Sequence, residues 1–335
     1  MFRKPFLVDI DTQTVTDLER SSRQLRSIAT LAEANSARLI LCATVPPPLG
    51  TGDPEVFERI LAVRRHKANE ILQLLAESIA VDAVPELFVV TGKPFIAISQ
   101  LVMAYDVGVV VSLAEQGTGA LVDTRLMHLI RKCPSGVWLW RDTPVTDTRL
   151  QQRRIVVPID RDIFAGSDAS KAMATRLMRA ALMGAGDAPA HITLLHSWSP
   201  YGLDVLNDSV IEPNTMDKYV DGQRYAQTLW LDERHDQLRA LISKHPHSAT
   251  ITSDRQLLEG VPAEVIPDWL SSTDVDLLVL GTVGTGAVPG QLIGDTAETI
   301  LLRSHMPVLT MKPADFESPV ARRPTPRASL ARASA

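Results

Sequence analysis

Asp276-Leu277-Leu278-Val279-Leu280-Gly281-Thr282-Val283-Gly284, followed after nine further residues by Gly294-Asp295-Thr296, is the stretch that decides the fold. Asp276 to Leu280 is a short apolar run of strand length, closed by glycines. Thr296 to Arg303 is a helix, and Val308-Leu309-Thr310-Met311 is a strand again. A buried strand that feeds a glycine loop, a helix and another short strand is a unit of a parallel sheet covered by helices on both faces.

The same alternation extends to both sides. Upstream, Ile155-Val156-Val157-Pro158-Ile159-Asp160 reads as a first strand, Lys171 to Met183 as a helix and Ile192 to His196 as a second strand. Thr228 to Ile242 then reads as a helix, Thr250-Ile251-Thr252 as a weak third strand, and Gly260-Val261-Pro262 opens a helix through Leu270. The first half carries the same order from Phe6-Leu7-Val8-Asp9-Ile10-Asp11 to Val137-Trp138-Leu139-Trp140. Gly92-Lys93-Pro94 answers Gly260-Val261-Pro262. At the same offset Asp106-Val107 answers Asp274-Val275, and Val111 answers Val279. A repeat of this length is a duplicated domain rather than a solenoid. The expected architecture is α/β, with two tandem doubly wound, Rossmann-like domains, each a mostly parallel five-stranded sheet. Residues 1–145 form the first and 152–313 the second, joined by a polar, proline-containing linker. Residues 314–335, rich in Arg, Pro and Ser, are expected to be a disordered tail.

The chain has 335 residues, 45% of them hydrophobic, a formal net charge of -5 and aromatics at 5%. This balance disfavours a binder of the nucleic-acid backbone or of stacked single strands. No apolar stretch approaches the ~20 residues of a membrane helix, and the N-terminus lacks the apolar core of a secretory signal. The expected location is cytoplasmic. Cys42 and Cys133, the two cysteines, cannot make a disulfide framework or a thiolate metal site and read as core residues. His235, His245 and His247 show no ligand spacing to a carboxylate or thiolate and read as surface histidines.

The glycine loop is the candidate for chemistry. Gly281 and Gly284 permit close backbone approach, and Gly294 stands just before a helix N-terminus, where free N–H groups and the helix dipole favour an anion. No Gly-Lys-Ser/Thr ends the loop, which excludes a Walker P-loop, and the glycine spacing does not fit the dinucleotide fingerprint.

Gly281-x2-Gly284-x9-Gly294 with Pro307-Val308-Leu309, Val157-Pro158-Ile159-Asp160 and His196 resembles the universal stress protein (UspA) superfamily, most of all its tandem UspE subgroup. The likeness covers roughly residues 3–313. It implies an adenine-nucleotide alpha hydrolase-like fold and an ATP site beyond the carboxyl ends of the strands. On that likeness Pro158 and Asp160 lie near base and ribose, Leu280 and Gly281 line the path to the phosphates, and Gly284, Gly294, Asp295 and Thr296 hold them. No residue demands Mg²⁺, although a divalent cation could bridge Asp295 to a phosphate.

Two departures matter. Asp295 replaces the family's Ser/Thr, and a carboxylate only accepts hydrogen bonds. Asp295-Thr296-Ala297-Glu298 also fits a capping box, with Asp295 as the cap. In the first copy, Leu113 and Gln116 stand where Gly281 and Gly284 are, so that site is lost. The connection from Ser199 to Asp221, with Leu203, Val205, Leu206, Val210 and Ile211, fits a lid or a surface excursion.

The expected function is a stress-response regulatory protein that binds a nucleotide or other small ligand in its second domain, without assigned catalytic residues. A scaffold or apolar-ligand binder acting through protein contacts, and a slow ATPase, are the alternatives. The implied partners are the small ligand, protein partners, and pairing of the two halves as an internal pseudo-dimer through their last strands, or of whole chains as a homodimer.

Overall fold

The computed structural model describes residues 4–12, 17–47, 53–79, 84–113, 124–141, 152–161, 167–202, 213–282, 293–320 and 330–332. The chain divides into two units, Met1–Asp147 with Pro307–Ala335, and Thr148–Met306.

In the first unit the strands are β1 (Phe6–Ile10), β2 (Leu39–Val45), β3 (Glu86–Thr91), β4 (Val109–Leu113) and β5 (Gly136–Trp140). The helices are α1 (Leu18–Ala34), α2 (Pro54–Glu77), α3 (Pro94–Tyr105) and α4 (Thr124–Lys132). The core order is β3-β2-β1-β4-β5. β1 pairs in parallel with both β2 and β4. Every residue of β1 and β2 is buried, because helices cover both faces of the sheet. Both cysteines are buried here. Burial pushes the Cys42 thiol far up and the Cys133 thiol up to about 12. Neither is a thiolate nucleophile.

Two features of this unit come from the far end of the chain. β10 (Val308–Met311) pairs antiparallel with β5, Val308 opposite Leu139 and Thr310 opposite Val137. These are the two last-strand segments that the sequence suggested would pair. The tail expected to be disordered from Ala314 instead folds back in part. Lys312 Nζ donates to the Arg131 carbonyl at 3.3 Å and Ser318 Oγ to that of Lys132 at 2.6 Å, while Val320 is buried. The last carbonyls of a helix need donors from outside it, and this strap supplies two. β11 (Leu330–Arg332) then adds antiparallel to β3.

The second unit has β6 (Arg153–Pro158), α5 (Ser167–Ala185), β7 (Ala190–Trp198), α6 (Pro213–Ile242), β8 (Ile251–Glu259), α7 (Pro262–Ser271), β9 (Leu277–Gly281) and α8 (Asp295–Arg303). Strand order is β9-β6-β7-β8, with the described pairings all parallel. The expected parallel α/β class is thus the observed one. Two elements are longer than the periodicity suggested. β8 runs on to Glu259 because β7 supplies a backbone partner for every residue from Ile251. α6 begins at Pro213, so much of the anticipated 199–221 connection is helix. Leu203, Val205, Leu206, Val210 and Ile211 lie outside the described residues.

Gly92 and Gly260, matched by the repeat, occupy the turns after β3 and β8 with φ of +145° and +135°. Each precedes a helix with proline in its first turn. Only glycine adopts that backbone without strain.

Candidate functional site

The strand order reverses between β6 and β9, and in open α/β sheets such a switch point is where the connections part and leave a crevice beyond the strand ends. β6 and β9 pair only at Ile155–Leu277 and Val156–Leu278. Pro158 then has no N–H to continue the ladder. On its other side β6 stays joined to β7, since Pro158 is opposite Leu195 and Ile159 N–H donates to the Leu195 carbonyl at 2.8 Å. The proline therefore ends one side of the pairing and leaves the other intact.

The described candidate residues gather on the elements around this parting. Pro158 is buried at the end of β6, and Asp160, two residues on, is exposed. The Asp160 carbonyl accepts from Ser170 Oγ in α5 at 3.3 Å. Leu280 is buried. A Cβ on Gly281 would stand 3.1 Å from Met173 Cε, so the glycine lets α5 pack close against the end of β9. Gly294 N–H donates to the Thr282 carbonyl at 2.7 Å, which ties the start of α8 to the end of β9. Gly284 lies outside the described residues.

The start of α8 corrects the capping-box expectation. Gly294, with extended φ -83° and ψ 148°, is the N-cap, and no side chain caps the helix. Its carbonyl accepts the first intrahelical bond, from Glu298 N–H at 2.9 Å. Asp295 is consequently the first helical residue. Asp295 and Thr296 are exposed, and Asp295 and Glu298 place negative charge in the first turn. That charge satisfies the dipole while competing with any anion brought to the same amides.

A side-chain cluster joins α6 to the ends of β6 and β7. His196 is buried near the end of β7. Its Nδ1 is 3.0 Å from the Ile159 carbonyl and its Nε2 is 3.4 Å from Gln227 Oε1. Arg161 Nη1 donates to the same Gln227 oxygen at 3.2 Å. The ring packs on Trp230 with centroids 4.7 Å apart. Burial, above all, holds the imidazole below its ordinary value, against the pull of the Ile159 and Gln227 hydrogen bonds and the Asp160 charge. His196 was legible as a strand-end residue. Gln227 and Trp230 were not singled out, although their spacing puts both on one helix face.

The matching place in the first unit is closed. β1 and β4 stay paired through Asp9–Ser112, the position that answers Pro158 and Leu280. Arg125, in the first turn of α4, donates to Asp9 at 2.6 Å and to Asp11 at 2.5 Å. Asp9 is buried. Sequence reading missed Arg125, but two signals were there: a cation at a helix N-terminus opposes the dipole and asks for partners, and Asp9 interrupts an apolar strand.

His235 Nε2 lies 3.0 Å from Ser253 Oγ. Among the described residues no group of three or more His, Cys, Asp and Glu side chains could hold a metal ion, and no helix is long and apolar enough to cross a membrane.

Comparison with known proteins agrees with this architecture. Residues 152–312 match the Universal stress protein family. Universal stress protein E of Salmonella typhi is 26% identical over 236 residues, 68% of each chain. That of Escherichia coli K12 is 25% identical over the same shares. Among solved structures, a protein of unknown function from Pseudomonas aeruginosa PAO1 aligns over 94% of both chains with a TM-score of 0.57 at 17% identity. A universal stress protein from Archaeoglobus fulgidus DSM 4304 covers 93% of this chain and 99% of its own, with a TM-score of 0.55 at 12% identity. These two show the shared fold. With the switch-point geometry, the repeat and the matched second half in hand, residues 152–312 are a match to the universal stress protein family, and the chain is similar to the family's E-type members.

Proposed function

We propose that the second unit is the ligand-binding half of a cytoplasmic regulatory protein, and that its ligand is an adenine nucleotide held where β6 and β9 part. The observation that carries this reading is the parting of two strands at the switch point: Pro158 ends the β6–β9 pairing, while Gly281 closes β9 and Gly294 caps α8. Pro158 and Asp160 serve base and ribose, Leu280 and Gly281 the path between, and Gly284, Gly294, Asp295 and Thr296 the phosphates. The α8 amides, uncapped by any side chain, are the donors. The output is an altered surface around the bound ligand that a partner protein reads.

Calorimetric titration with ATP, with and without Mg²⁺, beside Asp295→Ser tests the proposal. Saturable binding by the wild type is expected. The variant should bind up to about tenfold more tightly, since one unfavourable charge beside the phosphates is worth on the order of 1 kcal/mol. If neither protein binds, the crevice is not a nucleotide site. Binding by the variant alone means that Asp295 has closed an inherited site. The exposed Asp295 carboxylate favours that second reading, a scaffold or apolar-ligand binder. Phosphate release in the same samples, above a heat-killed control, detects slow turnover.

A further inference from the structure

The hydrogen bonds around His196 do not close with a neutral ring. Nδ1 faces the Ile159 carbonyl oxygen at 3.0 Å, which only accepts, so Nδ1 carries a proton. Nε2 faces Gln227 Oε1 at 3.4 Å. The Gln227 amide cannot simply be turned over, because Arg161 Nη1 donates to that same oxygen at 3.2 Å, and a guanidinium offers an amide nitrogen no acceptor. A neutral ring protonated at Nδ1 thus points one lone pair at another. An imidazolium donates to both oxygens. The ring also packs on Trp230, with centroids 4.7 Å apart and planes tilted by 53°.

The surroundings set these gains against costs. Burial opposes the charged ring most strongly. Asp160 favours it and Arg161 opposes it. β8 places the apolar Leu257 opposite His196, and Glu259 beyond it is engaged by Arg224 of α6 at 2.9 Å. One turn past Trp230, Arg234 holds its guanidinium 5.8 Å from the same indole and pairs with Glu233 at 3.2 Å. The two protonation states are therefore balanced between hydrogen-bond completion and burial, at the point where α6 meets the ends of β6 and β7.

We propose that His196 is a proton-operated latch: protonated, it ties α6 to the ends of β6 and β7 through Gln227 and Trp230, and neutral, it loosens the first half of α6. The latch regulates the crevice described above only if that crevice holds a ligand, so this link rests on the proposed function, whereas the latch itself does not.

The test uses the ligand-free full-length protein. Nitrogen-15 histidine NMR should show His196 titrating below the ordinary histidine range, and its neutral form should carry the proton on Nδ1. Hydrogen exchange of the 213–230 peptides, corrected for the intrinsic rate, should be severalfold slower below that midpoint than above it. Gln227→Glu should raise the midpoint by about one pH unit or more, since a carboxylate replaces a neutral oxygen. His196→Gln should abolish the pH dependence of exchange. A neutral form protonated on Nε2, exchange in 213–230 that ignores the midpoint, or a Gln227→Glu midpoint that does not rise would each overturn the latch. Should His196→Gln fail to fold, Gln227→Glu still decides. Failure of the ATP titration with the latch intact would refute the ligand reading alone.

Discussion

Lys312 makes the stability of the first unit depend on pH above neutrality. Its side chain is 2% exposed, with Nζ 3.3 Å from the Arg131 carbonyl and 4.4 Å from the centroid of the Phe316 ring. Burial lowers its pKa from 10.5 to about 7, with Cys133 pulling weakly the other way. Below pH 7 both the folded and unfolded chains carry the proton, and the folded state bears the cost of a buried charge. Between pH 7 and 10.5 the unfolded chain binds more proton than the folded one, so stability rises with pH. Integrated from pH 7 to pH 9, that difference is about 2 kcal/mol. The assay is hydrogen exchange of β5 and β10 peptides in a urea series at several pH values, which reads this unit separately from the other. The wild type should gain about 2 kcal/mol over that window. Lys312→Met keeps the length of the side chain without the charge, so it should remove the gain and be the more stable protein at pH 7. Parallel pH profiles for wild type and Lys312→Met would refute the reasoning.

Three further outcomes follow from the same geometry. Arg125→Met should destabilise the first unit by about 2–3 kcal/mol, below the cost for a fully buried pair because the arginine is partly exposed. Asp9→Asn in that background should restore part of the loss, as read by urea midpoints. Gly260→Ala should cost about 1–3 kcal/mol more than Gly92→Ala, because a Cβ at 260 would meet Val265 Cγ1 whereas nothing lies within 4 Å at 92. Thermal unfolding of the two variants separates strain alone from strain plus a clash. Gly136→Ala would set a Cβ 2.7 Å from Met311 Sδ and 3.2 Å from the Thr310 carbonyl. It should lower stability by about 1–3 kcal/mol and raise exchange across β5 and β10 while leaving β6 and β7 unchanged.

What the sequence determined by itself follows from local chemistry. Short apolar runs between helix-period segments specified a parallel sheet, because a strand buried on both faces has no polar face to show. The matched Gly-x-Pro turns exposed the duplication, since a positive φ before a helix restricts the residue to glycine. Pro158, Asp160, Leu280, Gly281 and Gly294 were legible as residues at the ends of two strands and the start of a helix, and the topology sets the ends of β6 and β9 side by side. Long-range partners were not legible. Asp295 read as a cap, yet the backbone of Gly294 took that place. The tail read as disordered from its composition, but a helix-end carbonyl of α4 recruits Ser318 from it, beside the one that takes Lys312 just before it. Tertiary structure alone brought Arg125 to Asp9 and Asp11, and His196 to Gln227, Trp230 and Ile159. A buried polar group takes whichever partner the fold delivers, and no local pattern in the chain encodes a partner tens of residues away or more.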